Sequence, residues 1–244
     1  MELTESQLEA ASSIDQSVAV IAAAGSGKTS VLVERCLRAI QAGVPFEKLL
    51  IITFTEKAAG ELKHRLSQHL PQALKTSLTD AWIGTFHAFC TRILSRHASL
   101  LHINPQFRIL DEGAGRLLTH QAAQTTFLSL LETGNEHAAL LVEALEFRNV
   151  IGLLEDLMAF RWHSQQLFSH GTLGSPEDQP LLTAVTHCFT KACDELQRYF
   201  HDAGQLDFQA LETMTLHLFT SHPDILHMYQ ERFRHLFVDE YQDT

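Results

Sequence analysis

The sequence predicts an α/β fold, a parallel sheet with helices on both faces, joined to a mostly helical inserted domain. Three observations carry this. Ser17–Ile40 (SVAVIAAAGSGKTSVLVERCLRAI) reads as an apolar strand, a glycine-bearing turn and a helix. Lys48–Phe54 (KLLIITF) is a near-continuous apolar run, the pattern of a parallel strand covered on both faces. From about Leu101 the chain turns to long helical periodicities, with no convincing strand signal until the return. The organisation this implies is a first α/β part over 1–100, a helical insertion over 101–203, and a return over 204–244 that ends on a strand at His235–Val238.

The turn is the most informative stretch. Ala22-Ala23-Ala24-Gly25-Ser26-Gly27-Lys28-Thr29-Ser30 has the residue types needed to hold a triphosphate. Small residues let backbone N–H groups close around phosphates. A helix opening near Lys28 adds the positive end of its dipole. Lys28 would reach the β- and γ-phosphates, and the Thr29 hydroxyl would ligate Mg²⁺. The first position of the G-x-x-x-x-G-K-[ST] pattern is Ala22, where the turn begins and an added methyl is tolerable. The pattern implies a bound nucleotide.

Upstream, Thr4 with Gln7 three residues on forms a capping box at a helix start. The Gln7 amide, donor and acceptor together, could equally read an adenine edge. Downstream, Gly43 and Pro45 stop the helix that follows Thr29, and Phe54-Thr55 marks the carboxyl end of a strand, where open α/β sheets bind ligands. Ala81–Gly84 reads as a short strand leading into a helix with an apolar stripe at Phe86, Phe89, Cys90, Ile93 and Leu94. His87 lies off that stripe and is expected to be exposed at the rim of the sheet. In the insertion, helical patterns cover roughly 112–133, 136–146, 150–163 and 180–201, and Phe127, Phe147, Phe160 and Trp162 are expected in its core.

Composition narrows the class. The chain is 45% hydrophobic and 19% charged, an ordinary globular composition. No apolar run approaches the ~20 residues of a membrane span, and the acidic start does not resemble a signal peptide, so a cytoplasmic location is expected. The net charge of −11 argues against coating nucleic acid by bulk electrostatics. Residues 1–100 carry 10 Lys/Arg against 9 Asp/Glu, whereas residues 101–244 carry 8 against 20. A polyanion should therefore lie along the first hundred residues. The four cysteines include no C-x-x-C pair, and Cys36 and Cys90 fall on apolar helix stripes, as buried thiols do. The 15 histidines show no metal-binding spacing.

The last strand runs into Asp239-Glu240-Tyr241-Gln242-Asp243. Two carboxylates at a strand tip, in a chain with a phosphate turn, suit Asp239 to hold Mg²⁺ and Glu240 to orient and deprotonate an attacking water. A solvated acidic loop is the plainer alternative.

Taken together, LTESQ, AAAGSGKT, ITFTEKAAGEL, GTFHAFC, the Leu206–Phe208 LDF and VDEYQDT resemble the superfamily 1 DNA helicases of the UvrD/Rep type, in the family's order and across the whole chain. AGSGKT with VLVERCLRAI, TFTEKAA, FHAFC and PQFRILDE look most like the AddA/RecB helicase–nuclease branch. The resemblance implies a RecA-like P-loop motor domain and ATP-driven 3′→5′ movement on single-stranded DNA or 3′-tailed duplex. It implies ATP and Mg²⁺ as cofactors and a role in repair or recombination. As a candidate partner it implies the other half of a helicase–nuclease complex, and it implies no membrane. By that resemblance Gln7 contacts adenine, Ala22–Ser30 hold the phosphates, Thr29 and Asp239 hold Mg²⁺, Glu240 is the catalytic base, and Gln242 senses the γ-phosphate. Phe54, Thr55, Lys57, Thr85, Phe86 and His87 match the strand-binding motifs. Aromatic faces at a sheet rim stack on any base, which suits Phe54 and His87; Phe86 fits that role and the helix core equally.

Relatives of this type continue past the acidic motif into a second RecA-like domain that supplies arginines to the γ-phosphate. The resemblance therefore implies an amino-terminal fragment with little hydrolysis of its own. The competing classes are a non-motor nucleotide- or DNA-binding module and a small-molecule phosphotransferase, the latter opposed by the TFTEKAA and TFH segments, for which it has no use.

Overall fold

A computed structural model describes residues 3–23, 25–79, 81–169 and 174–243. In chain order the elements begin with α1 (Glu5–Ser12), α2 (Lys28–Gln41), β1 (Leu49–Thr53), α3 (Glu56–His69), α4 (Gln72–Lys75), β2 (Trp82–Thr85) and α5 (Phe86–Arg96). There follow β3 (Arg108–Ile109), α6 (Glu112–Glu132), α7 (Glu136–Ala144), α8 (Phe147–Ala159), α9 (Arg161–Ser169) and α10 (Gln179–Ala203). The chain closes with β4 (Gln205–Leu206), α11 (Phe208–Ser221), α12 (Pro223–Arg232) and β5 (His235–Val238). It divides into two compact units, one of Met1–Ile93 with His217–Thr244, the other of Leu94–Leu216.

The first unit is built on a parallel three-stranded sheet in the order β2-β1-β5. β1 is central and all five of its residues are buried, which is why LLIIT is apolar without alternation. Ile51 lies in register with Ile83 and Phe237, and this row packs into a core with Val33, Cys36 and Leu37 of α2 and Leu62 and Leu66 of α3. On the opposite face Trp82 meets the rings of Phe89 from α5 at 5.8 Å and of Tyr229 and Phe233 at 6.0 and 5.0 Å. Helices thus cover both faces. Asp239 continues the ladder beyond β5, its N–H donating to the Ile52 carbonyl at 2.9 Å.

One expectation fails here. Residues 17–23 form no strand: Val18 and Val20 are exposed and Ile21 is 97% exposed. The reason is the lack of a ladder. β5 pairs only with β1 among the described strands, and an apolar segment with no neighbour to receive its N–H groups gains nothing from the extended pairing its composition favours.

The second unit is helical. α6, α7, α8 and α10 bury Phe127, Leu141, Leu154, Met158, Phe189 and Leu196. The PQFRILD link and the QL return pair with each other, as a two-residue parallel ladder of Arg108 with Gln205 and Ile109 with Leu206. Such a pair lies below what periodicity can reveal. Asp207 caps α11 by accepting from the Ala210 N–H at 2.7 Å and forms a largely buried ion pair with Arg161. Of the four aromatics expected in this core, Phe127 is fully buried, with Phe147 half-buried against its ring at 5.6 Å. Trp162 is half-buried, and Phe160 is 65% exposed. Phe160 is the C-cap between α8 and α9, where the helical face it would have shared ends. All four cysteines are buried free thiols. Burial raises the Cys36 pKa strongly and lifts Cys188 to about 11 and Cys193 to about 12.

Candidate functional site

The turn at 22–30 is held open by its glycines. Gly25 and Gly27 adopt φ of +76° and +87°, a region costly for any residue with a Cβ. Gly27 is the N-cap of α2, and its carbonyl accepts from the N–H groups of Ser30 and Val31. Ala24 lies outside the described residues. The Lys28 ammonium folds back over the turn and donates to the carbonyls of Ala22 at 3.1 Å and Ala23 at 3.3 Å. Lysine can exchange such neutral partners for phosphate oxygens, because charge-assisted bonds are the stronger.

Gln7 does two things at once. Its Oε1 accepts from the Thr4 N–H at 2.8 Å, and the Thr4 hydroxyl accepts from the Gln7 N–H, closing the capping box. Its Nε2 donates to the Ser26 carbonyl at 2.8 Å, and a Cβ built on Gly27 would come within 3.0 Å of it. The cap reading and the proximity of Gln7 to the phosphate turn both hold. Arg35 of α2 donates to the Ala10 and Gln16 carbonyls at 2.6 Å each.

Asp239 comes to the same place from the other end of the chain. Its carboxyl pKa is raised, first by burial and then by the neighbouring Glu240 charge. A backbone hydrogen bond, the Lys28 charge and a hydrogen bond with the Thr29 side chain oppose that rise. Lys28, Thr29 and Asp239 are therefore one cluster. Glu240 is exposed and takes a left-handed backbone, φ +50°, uncommon for a residue other than glycine. The Gln242 side-chain amide donates to its carboxylate at 2.5 Å.

A second rim lies at the tips of β1 and β2, where Thr53 and Thr85 are in register. Phe54 is 58% exposed and Phe86 37% exposed, whereas Phe89, Cys90, Ile93 and Leu94 turn inward. Phe86, the first residue of α5, keeps its ring 6.3 Å from that of Phe89 while remaining partly open to solvent. His87 is half-buried, 6.4 Å from the Phe86 ring. Thr55 caps α3, its hydroxyl accepting from the Ala58 N–H at 3.1 Å, and Lys57 is exposed in the same first turn. Thr85 does the same for α5, accepting from the Ala88 N–H at 3.1 Å.

Compared with known proteins, residues 3–244 match the family described as UvrD/REP helicase N-terminal domain. The chain belongs to that family. It is 30% identical to an ATP-dependent DNA helicase PcrA of Leuconostoc citreum over 99% of this chain and 29% of that protein. It is 34% identical to an ATP-dependent DNA helicase UvrD1 of Mycobacterium leprae over 92% of this chain and 26% of that protein. It is also 37% identical to an ATP-dependent helicase/nuclease subunit of Streptococcus sanguinis, over 68% of this chain and 14% of that protein. The chain thus spans less than a third of each of these relatives.

Within this UvrD/REP domain, sequence reasoning passed over Arg35 and Glu56. Arg35 ties α1 to the segment leading into the turn, and Glu56 accepts from the Thr85 hydroxyl at 2.9 Å. Neither had a signal along the chain, because each bonds an atom distant in sequence. No helix among the described residues is long and apolar enough to cross a membrane, and no group of three or more His, Cys, Asp or Glu among them could hold a metal ion.

Proposed function

We propose that this chain is the nucleotide-binding part of a UvrD-type ATP-dependent DNA helicase, a RecA-like P-loop motor domain carrying a helical insertion. Its translocation runs 3′→5′ on single-stranded or 3′-tailed DNA, in cytoplasmic repair or recombination. The observation that carries this is the cluster of Lys28, Thr29 and Asp239, drawn from opposite ends of the chain. Mg²⁺-ATP fits the residues present: the turn is glycine-shaped, the hydrogen bonds of Lys28 go to neutral carbonyls it can give up, and Thr29 and Asp239 offer two adjoining oxygen ligands.

In this reading the backbone of Ala22–Ser30 cradles the phosphates, Lys28 neutralises them, and Gln7 holds the adenine. Thr29 and Asp239 would hold Mg²⁺, whose charge would offset that of the phosphates the water must approach. Glu240 takes the proton of the attacking water, with Gln242 fixing its carboxylate and meeting the γ-phosphate. Phe54, Phe86 and His87 stack on bases, Thr55 and Lys57 meet phosphates, and Thr85 belongs to the same strand-binding rim. The similarity to a protein named as a helicase/nuclease subunit supports a partner protein that completes such a complex.

The test is binding of a fluorescent ATP analogue with Mg²⁺. Lys28→Ala removes a charge-assisted contact worth about 1.5–3 kcal/mol. Affinity is expected to fall about tenfold or more, with the fold intact by circular dichroism. Equal affinity in the variant would overturn the proposal.

A further inference from the structure

Outside the nucleotide cluster, one contact joins two segments that the strand-binding assignment treats as separate. The Thr85 hydroxyl donates to Glu56 Oε1 at 2.9 Å and accepts from the Ala88 N–H at 3.1 Å. A hydroxyl has one proton to give, and this one is committed. Thr85 therefore has no donor left for a phosphate while Glu56 holds it. Glu56 is an exposed carboxylate beside Lys57, two residues after the exposed Phe54 and bonded to Thr85, the residue before the exposed Phe86. A strand lying along this rim would bring its phosphates towards a negative charge.

We propose that Glu56 is a positioning and selectivity residue for strand binding, an inference that rests on the strand-binding reading above. By holding Thr85, Glu56 keeps the β1–α3 and β2–α5 junctions in one geometry, with Phe54 and Phe86 presented together. By its charge it offsets Lys57 and discourages contact through the phosphate backbone. Binding is then carried by base stacking, which requires bases, and only weakly by phosphates, which every strand has. The ordinary role of an acid in the first turn of a helix, favourable to the dipole, does not account for the bond to Thr85.

The experiment measures fluorescence anisotropy of a labelled oligothymidylate, and of an abasic strand of equal length, against the 244-residue chain across a salt series. Glu56→Gln keeps a carbonyl oxygen for Thr85 and removes the charge. It is expected to bind oligothymidylate about three- to tenfold more tightly at low salt. Its salt dependence should steepen by up to about 0.7 in log–log slope as Lys57 becomes free to neutralise one phosphate. Its preference for oligothymidylate over the abasic strand should shrink. Glu56→Ala also removes the charge but releases Thr85, so it should lose more of that preference than Glu56→Gln. A merely structural Glu56 would leave the salt slope unmoved. If the wild-type chain binds oligothymidylate and Phe54→Ala weakens it, while Glu56→Gln binds no more tightly and with the same slope, the inference is overturned alone. If the wild-type chain does not bind oligothymidylate, the strand-binding reading is overturned and the role of Glu56 with it.

Discussion

The two units of this chain spend their polar residues in opposite ways. In the helical unit they are consumed internally: Asn135 caps α7, Asp111 caps α6, and Asp207 both caps α11 and pairs with Arg161. In the sheet unit the most telling polar groups lie at a helix start and a strand tip and hold interchangeable partners. Lys28 rests on two neutral carbonyls, and Asp239 is half-buried beside a like charge, a situation that raises its pKa. The contrast teaches that the insertion is built for stability and the sheet unit for exchange of partners.

Three changes would break or sharpen that contrast. The largest effect belongs to the helical core: Phe127→Ala, at a fully buried ring, is expected to cost about 3–5 kcal/mol in urea unfolding. If it also weakened nucleotide-analogue binding in protein that remains folded, the division of labour would fail. Next is Asn135→Ala, which strips a cap accepting from the His137 and Ala138 N–H groups and should cost about 1 kcal/mol by the same assay.

The smallest effect has the opposite sign. The Asp239 pKa is raised in the folded chain, so the group binds its proton more readily folded than unfolded. Ionised, it opposes folding; its contribution is most favourable below the ordinary carboxylate range and is lost as pH rises through its folded pKa. Asp239→Asn should therefore stabilise the ligand-free protein at neutral pH, by under about 1 kcal/mol given its solvent exposure, while weakening Mg²⁺-dependent nucleotide binding. The stabilisation should vanish in acid, where the wild-type carboxyl is already protonated. Thermal melts at neutral pH and in acid below the ordinary carboxylate range check both arms.

Much of the site was legible along the chain because its chemistry is local. The candidate phosphate turn is a run of small residues ending in Lys28 and Thr29, and the strand-tip carboxylates Asp239 and Glu240 follow an apolar run directly. The buried strand β1, the strand β5 and the helices of the insertion followed from periodicity for the same reason. The segment 17–23 shows the limit. Its composition favours a strand, but a strand is a property of two neighbours, and no described strand pairs with it.

The amino-acid sequence alone determined the kinds of chemistry present, since residue type and close spacing dictate what a turn, a cap or a strand tip can bind. Which distant groups meet was decided by the tertiary structure: Thr29 with Asp239, Gln7 with the Ser26 carbonyl, Thr85 with Glu56. The reason is physical. A hydrogen bond depends on separations of a few ångströms, and only the packed sheet and its helices bring residues so far apart in the chain within that reach.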